Sequence, residues 1–295
     1  MNPLVSVVIP VYNCERYIKQ SINSILAQTY PNIECIVSND GSTDRTREFL
    51  TSYGSLIKII DAENKGESTA VNRGFERANG EYVIVLCADD LLAINSVSKL
   101  VEFMEYHPKV VVGYPDFDII NENGTIIEHK KTREYDYRYM ISHHWCFPSV
   151  GSIIRYKVLE HSGPRDLSYK YVGDLEHFMR IGKYGDMLHI PENLAYWRRW
   201  GGQISYERGR AMANEHLRLV VDYYKEQSLP QSILKKKNQA YCWAYIVAGL
   251  KTSGAYRIIY LLTALGYYPQ EALNIKNYWR LLNINKFSKG GTQNG

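Results

Sequence analysis

Residues 5–13, Val5-Ser-Val-Val-Ile-Pro-Val-Tyr-Asn13, and residues 82–91, Tyr82-Val-Ile-Val-Leu-Cys-Ala-Asp-Asp-Leu91, frame the part of the chain that decides the fold. Each is a short β-branched run that ends in polar residues. Two further runs, 33–37 and 57–60, lie between them, and a fifth follows at 110–112. The intervening segments 15–28, 43–50, 68–78 and 96–107 carry apolar residues at helical spacing, with Ser42 or Thr43 placed to cap the second. Apolar runs alternating with helices predict an α/β fold, a mostly parallel sheet joined by right-handed crossovers with helices on both faces.

Beyond Tyr114 the pattern changes. Asn121-Glu-Asn-Gly124 reads as a hairpin turn, and residues 131–150, polar and aromatic without clear period, as a loop over a cleft. Helices are expected at 174–183 and 210–227. Two apolar helical pieces follow from Ser232, separated by Lys251-Thr-Ser-Gly254, and the last ten residues read as disordered. The expected organisation is a ligand-binding half over 1–115, a second half over 116–207, and a helical C-terminal appendage over 208–295.

The chain has 295 residues, 45% hydrophobic and 22% charged, an ordinary globular balance with length for a sizeable core. A net charge of +4 gives no reason to expect a nucleic-acid partner. The charge is uneven, however: residues 225–295 carry ten Lys/Arg against Glu226 and Glu271, a net +8, which leaves −4 on residues 1–224. Together with Trp243, Tyr245, Tyr256, Tyr260, Tyr267, Tyr268, Tyr278 and Trp279, this predicts peripheral contact of 225–295 with the inner face of a membrane; packing within the protein or in a homodimer is the alternative. The apolar pieces at 238–250 and 258–270 are too short to span a bilayer. Tyrosine, at 25 copies, suits sugar-stacking clefts, interfaces and plain packing alike. Five cysteines (14, 35, 87, 146, 242) form no CxxC pair and indicate neither a disulfide framework nor a zinc site, so a reducing cytoplasm is the expected compartment. The N-terminus lacks the basic region of a signal peptide.

In an open parallel sheet, ligands bind beyond the carboxyl ends of the strands. Pro10-Val-Tyr-Asn13, Ser38-Asn-Asp-Gly-Ser-Thr-Asp44, Asn64-Lys-Gly-Glu-Ser-Thr-Ala-Val-Asn-Arg-Gly74 and Cys87-Ala-Asp-Asp-Leu91 all fall there. Taken singly, each is ordinary turn or cap chemistry; together at one rim they are not. Adjacent Asp89 and Asp90 repel unless a cation sits with them, and a hard divalent ion shared with substrate phosphates meets that need. There is no Walker sequence, and no G-x-G-x-x-G follows the first run.

At these residues the chain resembles the family-2 glycosyltransferases of the GT-A fold. The resemblance is carried by Val8-Ile-Pro-Val-Tyr-Asn13, Asn39-Asp-Gly-Ser-Thr-Asp44, Asn64 with Asn72-Arg-Gly74, Gly80-Glu-Tyr82, Ala88-Asp-Asp90 and Gly173-Asp-Leu-Glu-His-Phe-Met-Arg180. It implies a metal-dependent, inverting transferase that moves a sugar from a nucleotide-sugar donor, a UDP-sugar, to an acceptor hydroxyl of a saccharide or lipid-linked glycan. By the same resemblance Asp40 would hold the nucleotide base, with Pro10, Tyr12 and Asn13 around base and ribose. Asn72 falls in the donor-binding pattern, Asp89 would contact the donor ribose, and Asp90 would bind Mn2+ or Mg2+ and the diphosphate. Asp174 would be the catalytic base, with Arg180 at the family's arginine position on the same helix. A single base suffices because a metal-neutralised diphosphate leaves readily.

The chain departs from the family pattern in places. Cys87 stands where the usual Asp-x-Asp-Asp begins. Trp197-Arg-Arg-Trp200 replaces the common Tyr-Arg-x-His, so Arg198 or Arg199 would carry diphosphate charge, an exposed solvated pair being the plainer reading. His143 and His144 would line the acceptor side or simply face solvent. Cys87 and Trp200 keep open a catalytically weak nucleotide-sugar binder or assembly protein of the same fold. A nucleotidyltransferase would need a Gly-rich basic loop where Tyr12-Asn-Cys-Glu15 stands.

Overall fold

β1 (Val5–Val11) is buried along its whole length, as a run apolar but for Ser6 predicts for a strand covered on both faces. It pairs in parallel with β2 (Ile33–Asp40) on one side and with the strand Tyr82–Val85 on the other, and β3 (Lys58–Ala62) extends the sheet beyond β2. The structure, a computed structural model, describes residues 2–201, 209–226 and 229–274. The helices linking these strands are α1 (Ile18–Leu26), α2 (Thr46–Thr51) and α3 (Glu67–Arg77), and Tyr82–Val85 is β4.

The chain steps outward from β1 to β2 to β3 and then returns past both to β4. Right-handed crossovers therefore put α1 and α2 on one face and α3 on the other. α3 lies so close to the sheet that a Cβ on Gly74 would come within 2.2 Å of Val8 Cγ1, which leaves room for glycine alone. Strand order reverses between β1 and β4, and this reversal opens the crevice in which such sheets bind ligands. Pro10 lacks an N–H but is accommodated in a central strand, because the β4 register ends at Val8 and Val85.

The sheet continues through β5 (Leu91–Leu92), β6 (Val112–Ile120), β7 (Ile126–Lys130), β8 (Ile153–Arg155) and β9 (Met187–Arg198). Between them come α4 (Ser96–Tyr106), α5 (Tyr137–His143), α6 (Lys157–Ser162) and α7 (Gly173–Ile181). The strand order is β3-β2-β1-β4-β8-β6-β9-β5, with β7 beside β6. The expected α/β architecture is present, but the parallel arrangement holds only among β1–β4 and between β6 and β9. β8 runs antiparallel to β4 and β6, β5 to β9, and β7 to β6, so the whole sheet is mixed. The hairpin at 121–124 forms as expected. Asn121 Oδ1 accepts from the amides of Asn123 (2.9 Å) and Thr125 (3.0 Å), and Gly124 takes a φ of +86°.

Three elements differ from the sequence reading. The segment expected to be loop over 131–150 contains α5, started by Asp136, whose side chain accepts from Tyr139 N at 3.1 Å. The 12-residue β9 is hidden in the sequence because Pro191-Glu-Asn193 breaks its apolar run, at the point where its register against β6 shifts. β5, at two residues, is too short to show a period.

The chain divides into two compact units. One comprises Met1–Tyr135, Cys146–Ser168 and Glu176–Arg199; the other comprises Asp136–Trp145, Tyr169–Leu175 and Trp200–Gly295. The first carries every described strand, so the halves anticipated at 1–115 and 116–207 share one sheet. The second is helical: α5 joins α8 (Arg210–Tyr223), α9 (Gln231–Leu234), α10 (Lys237–Lys251), α11 (Gly254–Tyr267) and α12 (Pro269–Ala272). This is the expected C-terminal helical region, with its break after Lys251. α10 and α11 fold back on one another, and the Tyr267 ring stacks on Tyr241 (5.1 Å between centroids) and Tyr245 (5.5 Å). The terminal residues expected to be disordered, and Lys276, Tyr278, Trp279, Arg280, Lys286 and Lys289 with them, lie outside the described residues.

The second unit also buries two imidazoles. His144, at the left-handed C-cap of α5 (φ 50°, ψ 44°), lies 5.9 Å from His216 of α8, and neither its ring nitrogens nor Nδ1 of His216 have a hydrogen-bond partner. The solvent-facing reading of His144 is thereby overturned. Burial pulls His144 down to about 4, with His143 adding to it, and pulls His216 well below its usual range, with His144 and Lys251 adding. The folded pKa values lie below the unfolded value of 6.5, so the pair stabilises above that pH and loses this contribution as pH falls toward about 4. The urea midpoint should therefore drop between about pH 7 and pH 4.5, with a shallower drop in His144→Phe and His216→Phe. Identical pH slopes in the wild type and both variants would contradict this.

Candidate functional site

The carboxyl ends of β1 and β2 are stapled together by Asn13. Its backbone is left-handed (φ 46°), and Oδ1 accepts from Thr43 N (2.7 Å), Asp44 N (3.3 Å) and Thr43 Oγ1 (3.3 Å), while its own N–H donates to Ser42 Oγ at 3.0 Å. Asp44, rather than Ser42 or Thr43, starts α2, accepting from Thr46 N at 2.9 Å, and it also accepts from Glu15 N at 3.0 Å. Asn13 thus shapes the rim. Tyr12 beside it is half exposed (51%), and Pro10 lies buried within β1.

Asp40 ends β2 and is 2% exposed. Its carboxylate accepts from Lys65 N (3.0 and 3.2 Å), Gly66 N (2.7 Å) and Arg73 Nη1 (2.9 Å), which fixes the turn into α3. Asn72 is likewise engaged: Oδ1 accepts from Arg165 N (2.9 Å), and Nδ2 donates to Arg165 O (2.8 Å). Its amide thereby ties α3 to the 163–168 segment.

The acid loop follows β4. Cys87 is exposed, Asp89 half-buried and Asp90 2% exposed, and their ligand atoms all lie within 4.8 Å of one another. Asp90 Oδ1 accepts from Arg198 N at 2.8 Å. Burial, reinforced by the neighbouring Asp89, pushes the Asp90 carboxyl well above its usual range, against the pull of Arg198. A cation would relieve that strain. The donor set of one thiol and two carboxylates fits a divalent ion, and Asp89 is the more accessible of the two carboxylates.

Arg198, the last residue of β9, is completely buried. Its Nε donates to Asp89 O (2.8 Å), Nη2 to Gln20 Oε1 (2.7 Å), and Nη1 to Asn121 O (3.2 Å) and Glu122 O (3.3 Å), with the guanidinium 4.5 Å from the Tyr17 ring centre. Arg199 pairs with Glu128 at 3.4 Å and lies near the Trp197 ring. The exposed, solvated reading of this pair is therefore incorrect. So is direct diphosphate contact by Arg198, because its guanidinium faces the protein interior; it serves the site by holding the acid loop.

Asp174 stands in the first turn of α7, where Oδ1 accepts from Leu175 N at 2.7 Å. Further along α7, His177 is 2% exposed and bonded through Nε2 to Gly163 O (3.1 Å). Burial, with Arg165 and Arg180 adding, lowers it to about 3, so it is neutral at ordinary pH. Arg180 pairs with Glu176 (2.8 Å) and donates to Pro164 O (2.8 Å), a brace for the segment after α6. The sequence reading did not single out Gln20, Glu67 or Arg165, and gave Arg73 no role of its own within Asn72-Arg-Gly74. Gln20 and Arg165 lie outside every motif.

Residues 6–163 match Glycosyl transferase family 2. An uncharacterized glycosyltransferase of Nostoc sp. is 32% identical over 248 residues, covering 80% of this chain and 73% of the relative. One from Haemophilus influenzae is 32% identical over 218 residues, covering 69% and 68%. The chain spans far less of others, such as 19% of a Rickettsia bellii glycosyltransferase that is 39% identical over 130 residues. Among solved structures, S. aureus TarS in complex with UDP-GlcNAc aligns with a TM-score of 0.68 over 93% of this chain and 82% of that one, at 19% identity. Mannosyltransferase PcManGT from Pyrobaculum calidifontis, in complex with GDP-Man and Mn2+, aligns with a TM-score of 0.62 over 97% and 82%, at 18% identity. These likenesses show the GT-A fold. Fold and family match together define a glycosyltransferase. The chain belongs to glycosyl transferase family 2.

Asp40→Asn tests the rim. It removes the charge facing Arg73 and an acceptor for Lys65 and Gly66, so stability should fall by about 1–3 kcal/mol and the Lys65 and Gly66 amides should exchange faster. An unchanged urea midpoint with unchanged exchange would remove Asp40 from this supporting role.

Proposed function

We propose that this chain transfers a sugar from a UDP-sugar to an acceptor hydroxyl with inversion, using a divalent cation held by the acid loop. The observation that carries the reading is the Cys87, Asp89 and Asp90 cluster at the point where strand order reverses. Asp89, the more accessible carboxylate, and Cys87 are the ligands nearest solvent, with Asp90 behind them. A thiol among the donors favours Mn2+ over Mg2+. When bound, the cation neutralises the diphosphate so that it departs without a general acid. Tyr12 and Asp40 bound the nucleotide side, and Arg199 lies near the acid loop's supports. Asp174 takes the proton from the acceptor hydroxyl as the new bond forms on the face opposite the leaving diphosphate. Cys87 and Trp200 favour a second reading, a nucleotide-sugar binder without turnover, and the same experiment separates the two.

Purified protein with UDP-sugars and Mn2+ should release UDP slowly, and faster with a suitable acceptor; chelator should stop it. Asp174→Asn should lower transfer by about a hundredfold or more while UDP affinity stays within about twofold. Asp89→Ala and Asp90→Ala should lose metal-dependent UDP binding. UDP binding without any turnover would leave the silent binder, and chelator-insensitive transfer would exclude the metal.

The acceptor is a saccharide or lipid-linked glycan presented at an anionic membrane surface. No helix among the described residues is long and apolar enough to cross a membrane. α11 nevertheless exposes Ile258 (61%), Ile259 (53%) and Leu262 (60%) on its outer side. Arg210 stacks on Tyr256 at one end of this helix, Lys235 and Lys236 in the turn before α10 and Lys237 at its start are exposed, and Glu271 is the one acid over residues 229–274. Aliphatic side chains with a basic surround suit the headgroup boundary of an anionic leaflet. Vesicles of phosphatidylcholine with phosphatidylglycerol should sediment the protein at low salt. Sedimentation should weaken with salt, with Lys235, Lys236 and Lys237 changed to Gln, and with Ile258→Ser and Leu262→Ser. Failure to sediment, with a dimer that dissociates in the Ser variants, would assign the face to a second copy instead.

A further inference from the structure

Asp174 is exposed in the first turn of α7, and its carboxylate accepts from Leu175 N, a bond inside its own turn. Such a bond sets the side chain on its helix and leaves the helix end itself to be fixed. Helix ends fray, so a first-turn side chain is held only as well as the chain that leads into it. Residues 169–172, which lead into α7, form neither helix nor strand. Their main-chain amides therefore need partners from elsewhere in the protein.

Those partners stand on α8, in the same compact unit as Tyr169–Leu175. The Glu215 carboxylate accepts from three successive amides, Lys170 N (2.9 Å), Tyr171 N (2.7 Å) and Val172 N (3.3 Å). Asp222, two turns further along the same face of the helix, accepts from the Tyr169 hydroxyl at 2.9 Å. The Arg218 guanidinium, between them, lies 4.2 Å from the centre of the Tyr169 ring. α8 is a firm base for this grip, because Met212, Ala213, Leu219 and Val220 are buried along it. Bonds from N–H groups to a carboxylate are charge-assisted and stronger than neutral ones, and three on one side chain hold the backbone between them in one shape. The grip ends at Val172, with Gly173 alone between it and Asp174. Glu215 also lies beyond residues 6–163, which match the family, in the region whose sequence reads as an appendage.

We propose that Glu215 is a positioning residue for Asp174. By gathering the amides of Lys170, Tyr171 and Val172 it fixes the chain that leads into α7, and with it the place from which the Asp174 carboxylate meets the acceptor hydroxyl. α8 thereby belongs to the transfer machinery, although Glu215 itself touches no reacting atom. The proposal rests on the reading of Asp174 as the base. A base must stand within hydrogen-bond reach of the proton it takes, and a displacement of about 1 Å can cost about a hundredfold in rate. Removing Glu215 should therefore slow the chemical step and leave donor affinity alone. Glutamine keeps the length of the side chain and one acceptor oxygen but turns an NH2 group toward the backbone donors, so it should restore the function only in part.

Glu215→Ala, Glu215→Gln, Asp174→Asn and the double variant Asp174→Asn with Glu215→Ala test it in the full chain, each with a thermal melt. Amide exchange reads the positioning without a donor. In Glu215→Ala the amides of Lys170, Tyr171 and Val172 should exchange faster, and so should that of Leu175, whose partner is Asp174. A Leu175 amide that exchanges as in the wild type would mean that Glu215 steadies a loop and nothing more, which overturns the assignment. Turnover is read as UDP release from UDP-GlcNAc, UDP-glucose and UDP-galactose with Mn2+; if the wild type uses none of them, the exchange result decides alone. Glu215→Ala should lower kcat at least about tenfold with KM for the donor within about twofold, and Glu215→Gln should fall between it and the wild type. The double variant should be no slower than Asp174→Asn, because Glu215 acts only through that residue. An additive loss in the double variant, or kcat and KM worsening together, would also overturn the assignment. Should Glu215→Ala fail to fold, Glu215→Gln carries the same comparisons. Near-normal turnover in Asp174→Asn would instead sink the reading of Asp174 as the base, and this assignment with it.

Discussion

Arg198 places a full positive charge where solvent cannot reach it, and the acid-loop end of the crevice is built around the bonds that satisfy it. Its donors reach a carbonyl of the acid loop, two carbonyls of the β6–β7 turn and the side chain of Gln20 on α1, while its amide holds Asp90. One side chain thereby joins four stretches of chain that are far apart in sequence. Taking a partner away from such an arrangement strands a buried charge, a loss of about 3–5 kcal/mol. The two adjacent aspartates can stay close because a guanidinium lies behind them.

The polar residues of the crevice fall into two groups by what they touch. Asn13, Asp40, Asp44 and Asn72 bond mainly to backbone amides and carbonyls and set the shape of the rim. Cys87, Asp89 and Tyr12 keep surface toward solvent. The second group is the one open to the crevice, while the bonds of the first hold the rim in one geometry.

The sequence showed clearly what local chemistry dictates. β1 to β4 and their helices follow from alternating apolar runs, and the 121–124 hairpin follows from Asn and Gly at the turn positions. The gathering of Asp40, Asp89 and Asp90 at one rim follows from their places at strand ends. What it could not show depends on partners distant along the chain. β9 is broken by Pro191-Glu-Asn193, so its strand character emerges only from pairing with β6. A sequence gives the charge of Arg198 but not its burial, and a guanidinium bound for carbonyls 76 and 109 residues away looks the same as one bound for a phosphate. Arg165 lacked any signal at all, because its partner Asn72 was already accounted for by a motif. Among the tyrosines, Tyr241, Tyr245 and Tyr267 turned out to be packing between α10 and α11.

The order of strands also bears on how the chain is made. β1 finds its first neighbour at Ile33 but its second only at Tyr82, and β6 waits for β9, which ends at Arg198. Between these strands the polypeptide leaves the sheet-bearing unit twice to contribute residues to the helical one. At a synthesis rate of about 5–20 residues per second, some tens of seconds separate the emergence of β1 from that of Arg198. For that interval a largely apolar strand and an uncompensated pair of aspartates coexist in an unfinished sheet, and such non-local pairing folds slowly. In a chain of this design the apolar strand stays open on one edge until its later partners emerge.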